Sequence, residues 1–207
     1  MGKIILITGG ARCGKSSFAE DYVKTHGKDI AYIATSQIYD DEMAYRVKLH
    51  QQRRPSSWQT FEAPFDADTA INEAFCHHDI ILFDCLTLYL SNYLCSEQTQ
   101  TYTMEQLSAG AKDMMSALIE AVQAQNTDKT CVFVTNEVGS GIVPENALAR
   151  KYRDLAGLCN QQIAKVSAEV YLVVSGIPVK NKIIFYIYIL CFFIYYINYS
   201  RQFVSFE

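Results

Sequence analysis

The stretch Gly9-Gly10-Ala11-Arg12-Cys13-Gly14-Lys15-Ser16 decides the fold. It fits G-x-x-x-x-G-K-[ST], a phosphate-binding loop, and its surroundings fit as well. The apolar run Lys3–Thr8 before it reads as a buried strand, and Ser16–Lys24 after it reads as a helix. A strand feeding a glycine-rich turn that opens a helix is the setting this motif requires. Glycine lets backbone N–H groups converge on phosphate oxygens, and the helix N-terminus adds partial positive charge. Lys15 is placed to neutralise β- and γ-phosphates and Ser16 to hold Mg²⁺.

Outward from the loop, apolar runs alternate with helical patterns. Predicted strands are Lys3–Thr8, Asp29–Ala34, Asp79–Asp84, Thr130–Thr135 and Glu169–Ser175. Predicted helices are Ser16–Lys24, Asp41–Gln52, Asp66–Phe75, Thr87–Leu94, Met104–Gln125 and Pro144–Ser167. This alternation predicts an α/β domain with a mostly parallel sheet, its ligands at the carboxyl ends of the strands. The span 1–180 reads as that domain. In the tail 181–207, Ile183–Tyr199 carries no charge and is almost wholly Ile, Phe and Tyr. It reads as a short membrane anchor, an additional strand, or sequence foreign to the domain.

The chain has 207 residues, a formal charge of −4 and no basic stripe, which argues against nucleic acid as a partner. Its seven cysteines are odd in number and lack C-x-x-C spacing, so free thiols in a reducing cytoplasm are expected. The apolar start is short and runs into the phosphate loop, unlike a secretory signal.

Other residues carry chemistry on two readings each. Asp84 ends the hydrophobic run Ile80–Phe83 and can hold Mg²⁺ or cap the following helix. Asn136 and Glu137 end the next strand and face the same edge, where Gly139 and Gly141 would allow close approach to a ligand. His50, beside Arg53 and Arg54, is either a surface histidine or a phosphate neighbour. His26 fits a helix C-terminus, and His77 and His78 fit a surface turn.

Taken together, several ordered motifs resemble one family. They are Thr8–Ser16, Tyr32-Ile33-Ala34-Thr35-Ser36-Gln37, Asp40-Asp41-Glu42-Met43, and His50 with Arg54-Pro55 and Trp58. Further on come Thr135-Asn136-Glu137-Val138-Gly139, Gly141–Asn146, Arg153-Asp154 and Val173-Val174-Ser175-Gly176. From about Lys3 to Lys180 the chain is similar to bifunctional adenosylcobinamide kinase / adenosylcobinamide-phosphate guanylyltransferase enzymes of cobalamin biosynthesis.

The resemblance implies a RecA-like P-loop fold and a homotrimer. It implies phosphorylation of adenosylcobinamide by ATP or GTP, then transfer of GMP from GTP through a guanylylated histidine, here His50. The implied nucleotide contacts are Gly9, Gly10, Ala11, Arg12, Cys13, Gly14, Lys15 and Ser16, with Ala34, Thr35 and Ser36. Gln51, Gln52, Arg53, Arg54, Glu62 and Asp84 complete the set. Cys13 stands where many members carry Ser, and Asp84 where Glu is common. The apolar tail also departs from the family, and membrane contact through it is one reading. The phosphate loop would equally suit a kinase of another small alcohol or nucleoside, or a nucleotide-binding scaffold without turnover.

Overall fold

The computed structural model describes residues 1–37 and 55–182. Its centre is a seven-stranded sheet built from β1 (Lys3–Gly9), β2 (Ile30–Ala34), β3 (Gln59–Glu62), β4 (Ile80–Asp84), β5 (Thr130–Val134), β6 (Glu169–Val174) and β7 (Ile177–Lys180). The strand order is β3-β2-β4-β5-β1-β6-β7. All pairs are parallel except β6 with β7, which form an antiparallel hairpin. The helices are α1 (Lys15–His26), α2 (Ala67–Phe75), α3 (Leu86–Leu94), α4 (Met104–Gln123) and α5 (Ala147–Val166), with a 3₁₀ turn at Glu97–Thr99.

Strands β1, β4 and β5 are continuous apolar runs because helices cover both of their faces. Their side chains alternate between two cores. Ile4, Leu6, Ile81, Phe83, Cys131 and Phe133 pack with Ile71, Phe75, Leu118, Val122, Leu155 and Ile163 of α2, α4 and α5. Ile5, Ile7, Ile80, Leu82, Val132 and Val134 pack with Ala19, Tyr22 and Val23 of α1. Phe83 and Phe133 are fully buried, with ring centroids 5.0 Å apart. Truncating either to alanine would cost about 3–5 kcal/mol.

Five strands and five helices of the sequence reading are present, with shifted ends. The expected helix Pro144–Ser167 begins instead at Ala147, because the Asn146 side chain accepts the Ala149 N–H at 3.0 Å and so caps it. Helix α4 is set by a capping box: Thr103 Oγ1 accepts from Gln106 N, and Gln106 Oε1 accepts from Thr103 N at 2.9 Å. Strands β3 and β7, which lie at the two sheet edges, were not expected. Gln59–Glu62 is mostly exposed, and Ile177–Lys180 contains Pro178, which an edge strand tolerates. The expected helix Asp41–Gln52 and most of the tail 181–207 lie outside the described residues.

Candidate active site

At the carboxyl end of β1 the chain turns through the phosphate loop into α1. Gly14 sits at the helix N-cap with φ 95°, and no side chain caps the helix, so its first N–H groups stay open towards the loop. A Cβ at Gly14 would meet the backbone of Gly176 at 3.0 Å, and one at Gly9 would meet the Val173 carbonyl at 2.5 Å. Both glycines therefore let the loop lie flat against the β6–β7 hairpin. That hairpin turns through Ser175 (φ 51°) and Gly176 (φ 82°), and Gly176 N–H donates to the Cys13 carbonyl at 2.7 Å. The hairpin thus braces the phosphate loop from behind. Lys15 is only 9% exposed, and its ammonium donates to the Gly10 carbonyl at 3.2 Å. The lysine is folded over the loop, where phosphate oxygens would replace the carbonyl. Gly10, Ala11 and Arg12 are exposed. Ser16 follows in the first turn of α1, half-buried.

The sheet register aligns the second wall of the site. Glu62, Ala34, Asp84 and Val134 are neighbours across β3, β2, β4 and β5, and Val134 is level with Ile7 of β1. Asp84 therefore lies two strands from β1, about 10 Å at ordinary strand spacing. One of its oxygens, Oδ2, accepts the Tyr32 hydroxyl at 2.9 Å. Glu62 is exposed on the outermost of these strands, four places from β1. The Ser16 hydroxyl and the Asp84 carboxylate are hard oxygen donors of the kind Mg²⁺ takes. Among the described residues no group of three or more His, Cys, Asp or Glu side chains is arranged to hold a metal ion by itself.

Behind Asp84 lies a buried hydrogen-bonded clamp. Thr35 is fully buried; its hydroxyl donates to the Cys85 carbonyl at 2.9 Å and accepts the Cys85 N–H at 2.8 Å. The Thr35 carbonyl accepts Asn92 Nδ2 at 2.8 Å, and its N–H donates to the Asp84 carbonyl at 3.3 Å. Burial, with the negative charge of Asp84, pushes the Cys85 thiol up to about 11. It stays neutral, 2.9 Å from Thr87 Oγ1, and is no nucleophile. Asn136 Nδ2 donates to the same Thr87 hydroxyl at 2.9 Å. The Asn136 carbonyl accepts Asn160 Nδ2, and Thr135 Oγ1 donates to Asn160 Oδ1 at 2.7 Å. Tyr152 donates its hydroxyl to the Thr87 carbonyl, and burial raises its pKa. The ends of β2, β4 and β5 are thereby tied to α3 and α5.

Glu137 N–H donates to the Gly9 carbonyl at 3.0 Å, which fixes the loop after β5 beside the phosphate loop. Gly139 and Gly141 have no left-handed backbone. A Cβ at Gly139 would come within 3.0 Å of Glu137 Oε1, so the glycine makes room for that carboxylate. The other histidines behave as read. His26 stacks on Tyr22 at 4.1 Å near the end of α1, and His78 Nδ1 is 2.9 Å from the Ala74 carbonyl in the turn before β4. His50, Gln51, Gln52, Arg53 and Arg54 lie outside the described residues. The sequence reading did not single out Tyr32, Asn92, Tyr152, Asn160 or Gly176 for a role. Tyr32 and Gly176 fall inside the motifs Tyr32–Gln37 and Val173–Gly176, which is the signal the sequence offers for them.

Comparison with known proteins gives the same picture. Residues 5–181 match the model of the family described as cobinamide kinase / cobinamide phosphate guanyltransferase. The bifunctional adenosylcobalamin biosynthesis protein CobU of Salmonella typhimurium is 44% identical over 183 residues, covering 86% of this chain and 99% of that protein. CobU of Escherichia coli is 42% identical with the same coverage. CobP of Pseudomonas aeruginosa is 36% identical, covering 86% of this chain and 96% of that protein. Among solved structures, a prototypical ATPase from the type III secretion system of pathogenic bacteria superposes with a TM-score of 0.56 at 12% identity, over 83% of this chain and 51% of that one. That likeness shows a shared P-loop, RecA-like fold. This chain belongs to the cobinamide kinase / cobinamide phosphate guanyltransferase family.

Proposed function

We propose that this chain carries out both reactions of its family: phosphorylation of adenosylcobinamide by a nucleoside triphosphate, then transfer of GMP from GTP to the resulting phosphate. The observation that carries this is the phosphate loop with Lys15 folded over it and Asp84 two strands away, in a chain that matches the family from 5 to 181. Readings as a kinase of another small alcohol, or as a scaffold without turnover, have no comparable support.

The roles follow from the chemistry of the groups. Gly9, Gly10, Ala11, Arg12, Cys13 and Gly14 offer backbone N–H groups to the phosphates, and Lys15 neutralises charge that develops on the leaving group. Ala34 and Ser36 line the carboxyl end of β2, Thr35 braces it, and Glu62 stands further out. Gln51, Gln52, Arg53 and Arg54 are proposed nucleotide contacts beside His50. Mg²⁺ is proposed as the cation, held by Ser16 and, directly or through water, by Asp84. Such an ion takes few protein oxygens and draws the rest of its shell from water and phosphate. When bound, it supplies charge neutralisation on the phosphoryl oxygens.

His50 is the proposed nucleophile. Its imidazole nitrogen bonds to the α-phosphorus of GTP as pyrophosphate leaves; a phosphate oxygen of the corrinoid then bonds to that phosphorus and the histidine departs. Intact mass after incubation with Mg²⁺ and GTP tests this. The wild type should gain an acid-labile, GMP-sized adduct that His50→Ala lacks. A wild type that binds GTP but never gains the adduct would refute the covalent route.

Assembly as a homotrimer in the cytoplasm is part of the proposal. Exposed Val174, Ile177 and Val179 on the β6–β7 hairpin are apolar surface that burial between copies would remove from water. Six free cysteines among the described residues suit a reducing compartment. Among these residues no helix is long and apolar enough to cross a membrane.

A further inference from the structure

The kinase step needs a group to take the proton from the acceptor hydroxyl, and nothing above supplies one. Three carboxylates stand at the carboxyl ends of the aligned strands. Glu62 lies at the far edge, four strands from β1, about 19 Å at ordinary spacing. Asp84 is two strands away, held by Tyr32, and assigned to the cation. Glu137 follows β5, the strand directly beside β1, and its own N–H is bonded to the Gly9 carbonyl at 3.0 Å.

The Glu137 side chain is exposed, yet it is held. Its Oε1 accepts the Gly139 N–H at 2.8 Å and lies 3.5 Å from the Ser140 hydroxyl. Arg153 Nη2 donates to the Gly139 carbonyl at 3.1 Å and fixes the same turn from α5. Among the described residues Oε2 has no partner. One carboxylate oxygen is thus used for positioning, and the other is left unbonded among the described residues, on a turn whose first N–H is held by the phosphate loop.

We propose that Glu137 is the general base of the phosphorylation step, an assignment that rests on the kinase reading above. The acceptor hydroxyl oxygen forms a bond to the γ-phosphorus. The bond from that phosphorus to the β,γ-bridging oxygen breaks, and the nucleoside diphosphate leaves with the electron pair. The hydroxyl proton passes to Glu137 Oε2 and from there to solvent. The turn through Ser140 carries on to the exposed Ile142 and Val143, apolar surface that an acceptor with an apolar body would cover.

Glu137→Gln tests the assignment, because the amide oxygen can still accept the Gly139 N–H while the base is lost. Two reactions of the full chain are compared: phosphorylation of adenosylcobinamide, and formation of the GMP adduct from GTP, which involves no acceptor hydroxyl. The kinase kcat should fall at least about 100-fold, the lower end for a positioned general base. The nucleotide KM and the rate of adduct formation should stay within about twofold, as expected when only a transition-state interaction is removed. Equal loss of both reactions would mean that Glu137 merely supports the loop, and would overturn the proposal. So would a variant with wild-type kinase activity. A wild type that phosphorylates no acceptor would instead sink the kinase reading, and this assignment with it.

Discussion

Replacing Thr35 with Val tests whether the clamp behind Asp84 holds the carboxyl ends of β2 and β4 together. The two side chains have nearly the same shape, so the change removes a hydroxyl and little volume. That hydroxyl makes two bonds to one residue, Cys85. The losses differ. The Cys85 carbonyl keeps a second donor, Tyr89 N–H at 3.1 Å, and stays satisfied. The Cys85 N–H has no other acceptor among the described residues, and Cys85 is only 6% exposed. An orphaned buried donor costs about 1–3 kcal/mol, so a destabilisation near 2 kcal/mol is expected. For a chain of this size that lowers Tm by about 4–8 °C. Urea unfolding should show a lower midpoint at unchanged slope, since the exposed area hardly changes. Thr35→Ser keeps the hydroxyl and loses one buried methyl, so it should lose no more than about 1 kcal/mol. If Thr35→Val is as stable as wild type within about 0.5 kcal/mol, the spread of an ordinary surface change, the clamp reasoning fails.

Two further predictions concern the brace and the far end of the sheet. Gly176→Ala places an L side chain at φ 82° with open space around it, so its cost is backbone strain alone, about 1–2 kcal/mol. Because Gly176 N–H holds the Cys13 carbonyl, titration should show weaker GTP binding, and Gly176→Asn should recover part of both losses; unchanged binding in Gly176→Ala would argue against the brace. Burial alone would raise the Glu169 pKa, but hydrogen bonds from Lys3, Tyr171 and Lys180 outweigh it and hold the carboxyl at about 2 against an ordinary 4.5. Because the folded value is the lower one, the stabilisation is present above pH 4.5 and is lost as pH falls from 4.5 towards 2. Acid unfolding of wild type and Glu169→Gln should converge across that window, and parallel curves would refute the assignment.

The sequence by itself determined what is local. A phosphate loop needs its glycines and lysine at fixed spacing, so residues 9–16 declare it without reference to the rest of the chain. The buried runs Ile4–Ile7, Ile80–Phe83 and Cys131–Val134 are legible because a strand covered on both faces has no polar alternation to confuse the reading. Gln59–Glu62 and Ile177–Lys180 were not, since an edge strand is short and polar or carries proline, and only its neighbour makes it a strand. Pairing across the sheet is a long-range matter. Only tertiary structure placed β5 between β1 and β4, and so set Glu137 beside Gly9 although they are far apart in the chain. Only it brought Gly176 onto Cys13, and turned Thr35 from a polar residue after a strand into a buried clamp on Cys85. Motif spacing records which groups a phosphate needs. Which other groups stand near that phosphate depends on strand order, and strand order follows from how the apolar faces of distant segments are buried together.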